Sequence, residues 1–434
     1  MDFETACKLE FASPGEIGRA QEQCWRDHLA YCARSSSFYR RRFQQCGISP
    51  ETLSLADLPS LPLTSKAEFA EHNDEFLAVP RAAVVDIVLS SGTTGSPTPV
   101  MYTEGDLERL AHNEALSFQA CGVTPDDVAL LTCTLDRCFV AGLAYFLGLR
   151  RLGAACVRNG HNTLESHAEV IKRTGPTVIV GVPSFLRRLG LYLRESGVSP
   201  EKSGVRRLVC IGEPLRDQSL AFLKVGSDLE EIWHARAFST YASSECVTTF
   251  CECTAQQGGH LHPELAAIEI VDAAGQLLPP GSVGEVVLTP FGIQGMPLLR
   301  FRTGDIGFLI ARPCTCGRFT PRLGPIIGRK QQMMKVRGTT LYPQAVLSAL
   351  DAIPEVSEYY LVVTSEDELS DSLTVHAAVR TPDCPASVLQ EKLKASLRVK
   401  PAVIVETEEA VRRQVYTPAS RKPVRFVDLR KKTC

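Results

Sequence analysis

Ser90-Ser91-Gly92-Thr93-Thr94-Gly95-Ser96-Pro97-Thr98 sets two glycines among serines and threonines, directly after the apolar run Val84–Leu89. Glycine lets the backbone reach positive φ and come close to a ligand. Hydroxyls and successive backbone N–H groups then face one concavity, which is how a loop cradles phosphate oxygens. A nucleotide triphosphate suits that chemistry. The Walker-type loop does not, because it ends in Gly-Lys-Ser/Thr and opens a helix. Here no lysine follows the second glycine, and Pro97 and Pro99 oppose an immediate helix. A polar turn between two strands is the other reading of these residues.

The wider chain narrows the choice. Its 434 residues are long for one core, so two or three domains are expected. A formal net charge of −2 offers nothing to nucleic acid or to an acidic membrane. No apolar run approaches the ~20 residues of a membrane span. Residues 1–10 lack the pattern of a secretory signal. Sixteen cysteines are scattered through the chain rather than spaced as a disulfide framework. Reduced thiols in a cytoplasmic protein are therefore expected, with a metal site for a few of them left open.

Apolar and aromatic positions from Ile17 to Cys46 recur at helical spacing, and a second helical stretch begins near Lys66. Buried strands are expected at Val128–Thr132, Ala154–Val157, Thr177–Val180 and Leu208–Ile211. Helices are expected between them at Gly142–Leu152, Pro183–Leu193 and Leu215–Lys224. This alternation predicts a layered, largely parallel α/β sheet. Short strands separated by Gly and Pro turns, from about Ala266 to Ile310, predict a β-rich subdomain. After Gly328-Arg329 the pattern is helix, two strands, helix, strand, as in a small α+β domain. The expected fold class is thus a large N-terminal α/β lobe, residues 1–328, with a helical first segment (1–80), followed by a small mobile α+β domain, residues 329–434.

Five ordered motifs resemble the phenylacetate–CoA ligase branch of the adenylate-forming enzymes, which include acyl-CoA synthetases, adenylation domains and luciferases. The Ser90–Thr98 loop is similar to the superfamily phosphate loop, which most members end in Pro-Lys and this branch ends in Pro-Thr. Tyr241-Ala242-Ser243-Ser244-Glu245 resembles Tyr-Gly-x-Ser/Thr-Glu. Phe301-Arg302-Thr303-Gly304-Asp305 resembles Tyr/Phe-Arg-Thr-x-Asp. Gly328-Arg329 through Lys335-Val336-Arg337-Gly338 resembles the hinge motif. Arg421-Lys422-Pro423-Val424-Arg425 takes the place of the catalytic-lysine segment. Ser37–Phe43 and Leu61–Lys66 are also similar to this branch.

The resemblance implies a two-step reaction. A carboxylate attacks the α-phosphate of ATP to give acyl-adenylate and pyrophosphate, and a thiol, usually coenzyme A, then displaces AMP. It implies that Ser91, Gly92, Thr93, Thr94 and Gly95 hold the β- and γ-phosphates, that Tyr241 lies against adenine, and that Ser244 stands near the α-phosphate and the substrate carboxylate. Glu245 would bind Mg²⁺, Asp305 the ribose hydroxyls, and Arg329 the ribose or phosphate. Lys422 would neutralise charge in the adenylation transition state, although a solvated basic run also describes it. Gln331 and Lys335 fall at the hinge, where the family usually carries Asp-Asp and this chain has Gln331-Gln332.

The acyl pocket would be lined by Asp136–Phe146, with Phe139, and by Val182, Gly212, Glu213, Pro214 and Tyr241. Asp136-Arg137 there suggests either an acid with a polar substituent or an ion pair at the rim. The carboxylic acid, CoA or a carrier-protein thiol, and a homodimer are the partners implied. A non-catalytic nucleotide-binding protein is the remaining alternative.

Pro313-Cys314-Thr315-Cys316-Gly317 is a tight Cys-x-Cys-Gly turn, and Cys253 and His260 lie upstream. Cys253, His260, Cys314 and Cys316 would make a closed Cys₃His site typical of structural zinc. Cys251 and His262 compete as ligands, and free buried thiols are the alternative.

Overall fold

The computed structural model describes residues 1–90, 97–365, 370–381, 384–416 and 423–430. Two compact units divide the chain: Met1–Thr303 with Gly307–Ile326, and Gly304–Ile306 with Ile327–Cys434. Ser91, Gly92, Thr93, Thr94, Gly95 and Lys422 lie outside the described residues.

A six-stranded sheet organises the first unit, in the order Ala155–Arg158, Val128–Leu131, Val178–Gly181, Arg207–Ile211, Arg236–Ser243, Thr248–Cys251. The first five strands run parallel and the last is antiparallel. Val178–Gly181 is wholly buried, which is why its sequence is a continuous apolar run rather than an alternation. From Val128–Leu131 the chain first crosses to one neighbour and then to the other. The order reverses there, and in open parallel sheets ligands bind beside such a reversal, at the carboxyl ends of the strands. All the expected acyl-pocket segments leave that edge of the sheet.

Helices Pro183–Glu195 and Lys224–Trp233 cover one face and meet through a glycine. A Cβ on Gly190 would lie 2.4 Å from Ile232 Cγ2, so the close approach requires glycine. The helix expected at Leu215–Lys224 is corrected by the structure. Leu215–Leu223 is a turn closed by an Arg216–Phe222 bridge, and the helix begins at Lys224. Asp217 explains this: its carboxylate accepts from Ser219 N and Ala221 N, satisfying the backbone outside a helix.

The helix expected over Ile17–Cys46 is two helices, Pro14–Ser35 and Ser37–Cys46. Ser36, at φ −88°, ψ 122°, ends one and caps the next through its side chain. The break turns Phe38, Tyr39 and Phe43 inward. Phe38 stacks on Phe76 at 4.0 Å, and the Tyr39 hydroxyl accepts from Leu299 N at 2.7 Å. These contacts anchor the N-terminal helices to the β-rich part, where strands Ala266–Val271 and Gly284–Pro290 pair antiparallel. Arg300, nearly inaccessible, holds both Glu269 oxygens at 3.0 and 2.9 Å.

The second unit contains a four-stranded sheet ordered Ala402–Val405, Asp371–Val379, Val356–Ser365, Phe426–Asp428. Helices Pro343–Asp351, Ala386–Leu397 and Glu408–Val415 accompany it. Its first hairpin, Met334–Val336 with Thr339–Leu341, turns on Arg337 and Gly338 at φ 49° and 80°. Two successive left-handed residues match the twist of the flanking strands, as in a type I′ turn.

Candidate active site and metal knuckle

Strand Arg236–Ser243 delivers Tyr241 and then the turn Ser244–Val247 to the carboxyl edge of the sheet. The turn is held from three sides. Tyr102 donates its hydroxyl to Ser244 O at 2.8 Å, and Ser243 Oγ donates to Glu245 Oε2 at 3.1 Å. Arg109, buried in helix Glu104–Ala120, donates to the carbonyls of Val247, Leu265 and Phe291. A buried guanidinium satisfied by carbonyls is a rigid brace, because releasing it would strand a charge in an apolar interior. Glu245 is thereby presented with little freedom, and Lys66 Nζ lies 3.4 Å from its Oε1.

Lys66 opens helix Lys66–Glu71, whose start is set by a capping box between Ser65 and Glu68. Sequence reasoning placed Lys66 only within a branch-like stretch. The signal that could have found it is Thr98, where most of the superfamily carries lysine.

Ser90 N donates to Thr98 O at 2.9 Å, which brings the two ends of the Ser90–Thr98 stretch together. Leu89 N donates to Cys138 O at 2.9 Å, which sets strand Val84–Leu89 beside the loop bearing Asp136 and Phe139. The Asp136 carboxylate takes the Thr134 hydroxyl. Gly212, at φ 75°, turns the chain after strand Arg207–Ile211, ahead of Glu213 and Pro214. Glu213 accepts from Ser184 N and Oγ at 2.9 and 2.8 Å, tying this strand end to the helix that follows the neighbouring strand.

In the second unit, Asp305 and Arg329 are register partners on adjacent strands, with Nε 3.5 Å from Oδ1. Arg430 donates to the carbonyls of Met333 and Gln331. Lys335 N donates to Asp371 at 2.7 Å. The expected hinge residues are thus braced through their backbone.

Cys253, His260, Cys314 and Cys316 come together, with their ligand atoms all within 4.8 Å of one another. Cys253 Sγ lies 3.6 Å from Cys314 Sγ, and Cys316 Sγ lies 3.4 Å from His260 Nε2. A tetrahedral zinc ion with ordinary bond lengths needs roughly 3.8 Å between sulfurs and roughly 3.5 Å between sulfur and nitrogen. The donor set therefore fits zinc in chemistry and in span. His260 Nδ1 faces Thr320 Oγ1 at 2.8 Å, which leaves Nε2 toward the thiols. Burial holds the His260 pKa down to about 3, so the imidazole is neutral as a ligand must be. Burial raises Cys316, but hydrogen bonds from Arg318 prevail and hold it below the usual thiol value.

The rival ligands are engaged elsewhere. Cys251 Sγ accepts from Thr240 Oγ1 at 3.4 Å. His262 uses Nδ1 on Glu10 and Nε2 on Ser117.

Residues 44–293 match the AMP-binding enzyme family, and residues 338–430 match the AMP-binding enzyme C-terminal domain. The chain belongs to the AMP-binding enzyme family. It is 34% identical over 381 residues to a phenylacetate-coenzyme A ligase of Thermus thermophilus, covering 86% of this chain and 84% of that protein. Its identity to the phenylacetate-coenzyme A ligase of Aromatoleum evansii is 28%, over 95% of each. The crystal structure of a 2-hydroxyisobutyryl-CoA ligase in the postadenylation state, in complex with R3-HIB-AMP, shares the fold. Its TM-score is 0.86 at 20% identity, covering 97% of this chain and 91% of that one.

Proposed function

We propose that this chain is an ATP-dependent carboxylate–CoA ligase that works through an acyl-adenylate. It joins a small carboxylic acid to AMP, releases pyrophosphate, and passes the acyl group to the coenzyme A thiol with loss of AMP. The observation that carries this is the braced Ser244–Glu245 turn at the carboxyl edge of the parallel sheet, with Lys66 beside Glu245.

Adenylation gathers negative charge on the phosphorus oxygens, so fixed donors and cations are the main catalytic tools. Ser91, Thr93, Thr94 and Gly95 would hold the β- and γ-phosphates. Glu245 would bind Mg²⁺, a hard cation that favours carboxylate and phosphate oxygens. Lys66 would supply the positive charge that Thr98 does not. Tyr241 would lie along the adenine. Asp305 and Arg329 would meet the ribose and phosphates, and Lys422 would neutralise the forming adenylate. Phe139, Gly212 and Pro214 would border the acid. Glu213 would act through Ser184 rather than as a free charge.

Cys253, His260, Cys314 and Cys316 would hold a structural zinc. Bound there, zinc would tie the end of strand Thr248–Cys251, through Cys253, to His260 and to the Cys314–Cys316 turn; the other end of that strand adjoins the turn that carries Glu245. No helix among the described residues is long and apolar enough to cross a membrane, and their cysteines are free thiols. A reducing compartment, the cytoplasm, suits such a protein.

Acid-dependent exchange of labelled pyrophosphate into ATP tests the first half-reaction, and CoA-dependent AMP release tests the second. Exchange without AMP release in the presence of CoA would point to another acceptor. No exchange with any aryl or short-chain acid would remove the reading.

A further inference from the structure

The four thiol and imidazole groups lie within residues 253–316, but the shell around them is completed from the far end of the chain. Glu10 caps helix Phe3–Leu9 and is 1% exposed. Its Oε1 lies 2.5 Å from His262 Nδ1, and its Oε2 accepts from Arg318 Nε at 2.5 Å. Its carbonyl accepts from Phe319 N at 2.9 Å. One residue thus fixes the segments just past two ligands, His260 and Cys316, across 252 and 308 positions of sequence. Arg318 also lies over the Phe11 ring at 4.7 Å.

Among the described residues the helix's other side-chain contacts are modest: Ala6 and Phe3 pack with Leu116 and Leu265, the Phe3 ring meets His112 edge-on at 6.0 Å, and Cys7 Sγ donates to Gln119. Seven helical residues are too few to persist alone in water. A buried carboxylate is tolerated only while it is paired. The pairing needs Arg318 and His262 in place, and both ride on the Cys₃His cluster. Without a metal, only weak contacts among three thiols and an imidazole hold these four side chains together.

We propose that the metal is a clasp for the N-terminal helix. Glu10 is the positioning residue that joins them, and metal binding and docking of residues 3–11 are one coupled event. This rests on the zinc reading above. The test uses the full chain, measuring bound zinc and amide hydrogen exchange before chelator stripping, after it, and after zinc is returned. Stripping should raise exchange at residues 5–12 at least about tenfold, and zinc should restore protection. Glu10→Gln should release zinc to a chromophoric chelator about 10–100-fold faster than wild type. Glu4→Gln, on the exposed face of the same helix, should do neither.

Wild-type protein that purifies without zinc removes the metal reading, and this proposal with it. Zinc present but exchange at residues 5–12 unmoved on stripping overturns the clasp alone. So does wild-type zinc release from a folded Glu10→Gln. Should Glu10→Gln fail to fold, the stripping experiment on wild type decides.

Discussion

Replacing Lys66 by glutamine removes a cation while keeping a side chain of similar length. At 3.4 Å the bare Coulomb attraction between Lys66 and Glu245 is ~5 kcal/mol at an effective dielectric of about 20, before the desolvation of either group is subtracted. A triphosphate oxygen taken at similar range would gain the same order. Half of that, ~2.5 kcal/mol after screening by solvent, is roughly 70-fold in rate. The assay separates the half-reactions: pyrophosphate exchange for adenylation, and single-turnover thioester formation from presynthesised acyl-adenylate for the second. Lys66→Gln should lower kcat/KM for ATP in exchange by roughly 70-fold and leave thioester formation within about threefold. Adding Thr98→Lys should recover part of the loss. If exchange is unchanged, or both half-reactions fall together, Lys66 braces the fold and does not serve the phosphates.

Glu114 is fully buried beside Thr249, and burial raises its pKa from 4.5 to about 7. The folded state therefore keeps a proton that the unfolded chain gives up. Stability should fall as pH rises from 4.5 to 7, and Glu114→Gln should flatten that slope in urea titrations, by at most about 3 kcal/mol. Glu269→Ala strands the buried Arg300 guanidinium and should cost about 3–5 kcal/mol, read as a lowered denaturation midpoint. Gly190→Ala drives a methyl into Ile232 and should cost about 1–3 kcal/mol with the fold retained. Cys314→Ser should drop bound zinc from about one equivalent to below about half of one, measured by metal analysis.

Strand periodicity, turn chemistry and ordered motifs are local quantities, so the chain displays them without folding. From them came the alternating α/β lobe, the β-rich part, the small α+β unit, and the candidate metal ligands Cys253, His260, Cys314 and Cys316, which the fold brings together. Local pattern failed where a distant or competing partner intervened. Apolar spacing alone could not show that Ser36 breaks a helix, or that Asp217 turns Leu215–Leu223 out of one. It carried no sign that Tyr102 and Arg109 brace the Ser244–Val247 turn. Cys251 and Cys253 are equals as letters. Only the direction of each thiol, toward Thr240 or toward Cys314, separates them, because side chains two apart on a strand-like segment can meet different neighbours. Tertiary structure alone decided that Lys66 stands beside Glu245 and that Glu10 closes on Arg318. Both are charge pairings across long stretches of chain, and no local spacing records them.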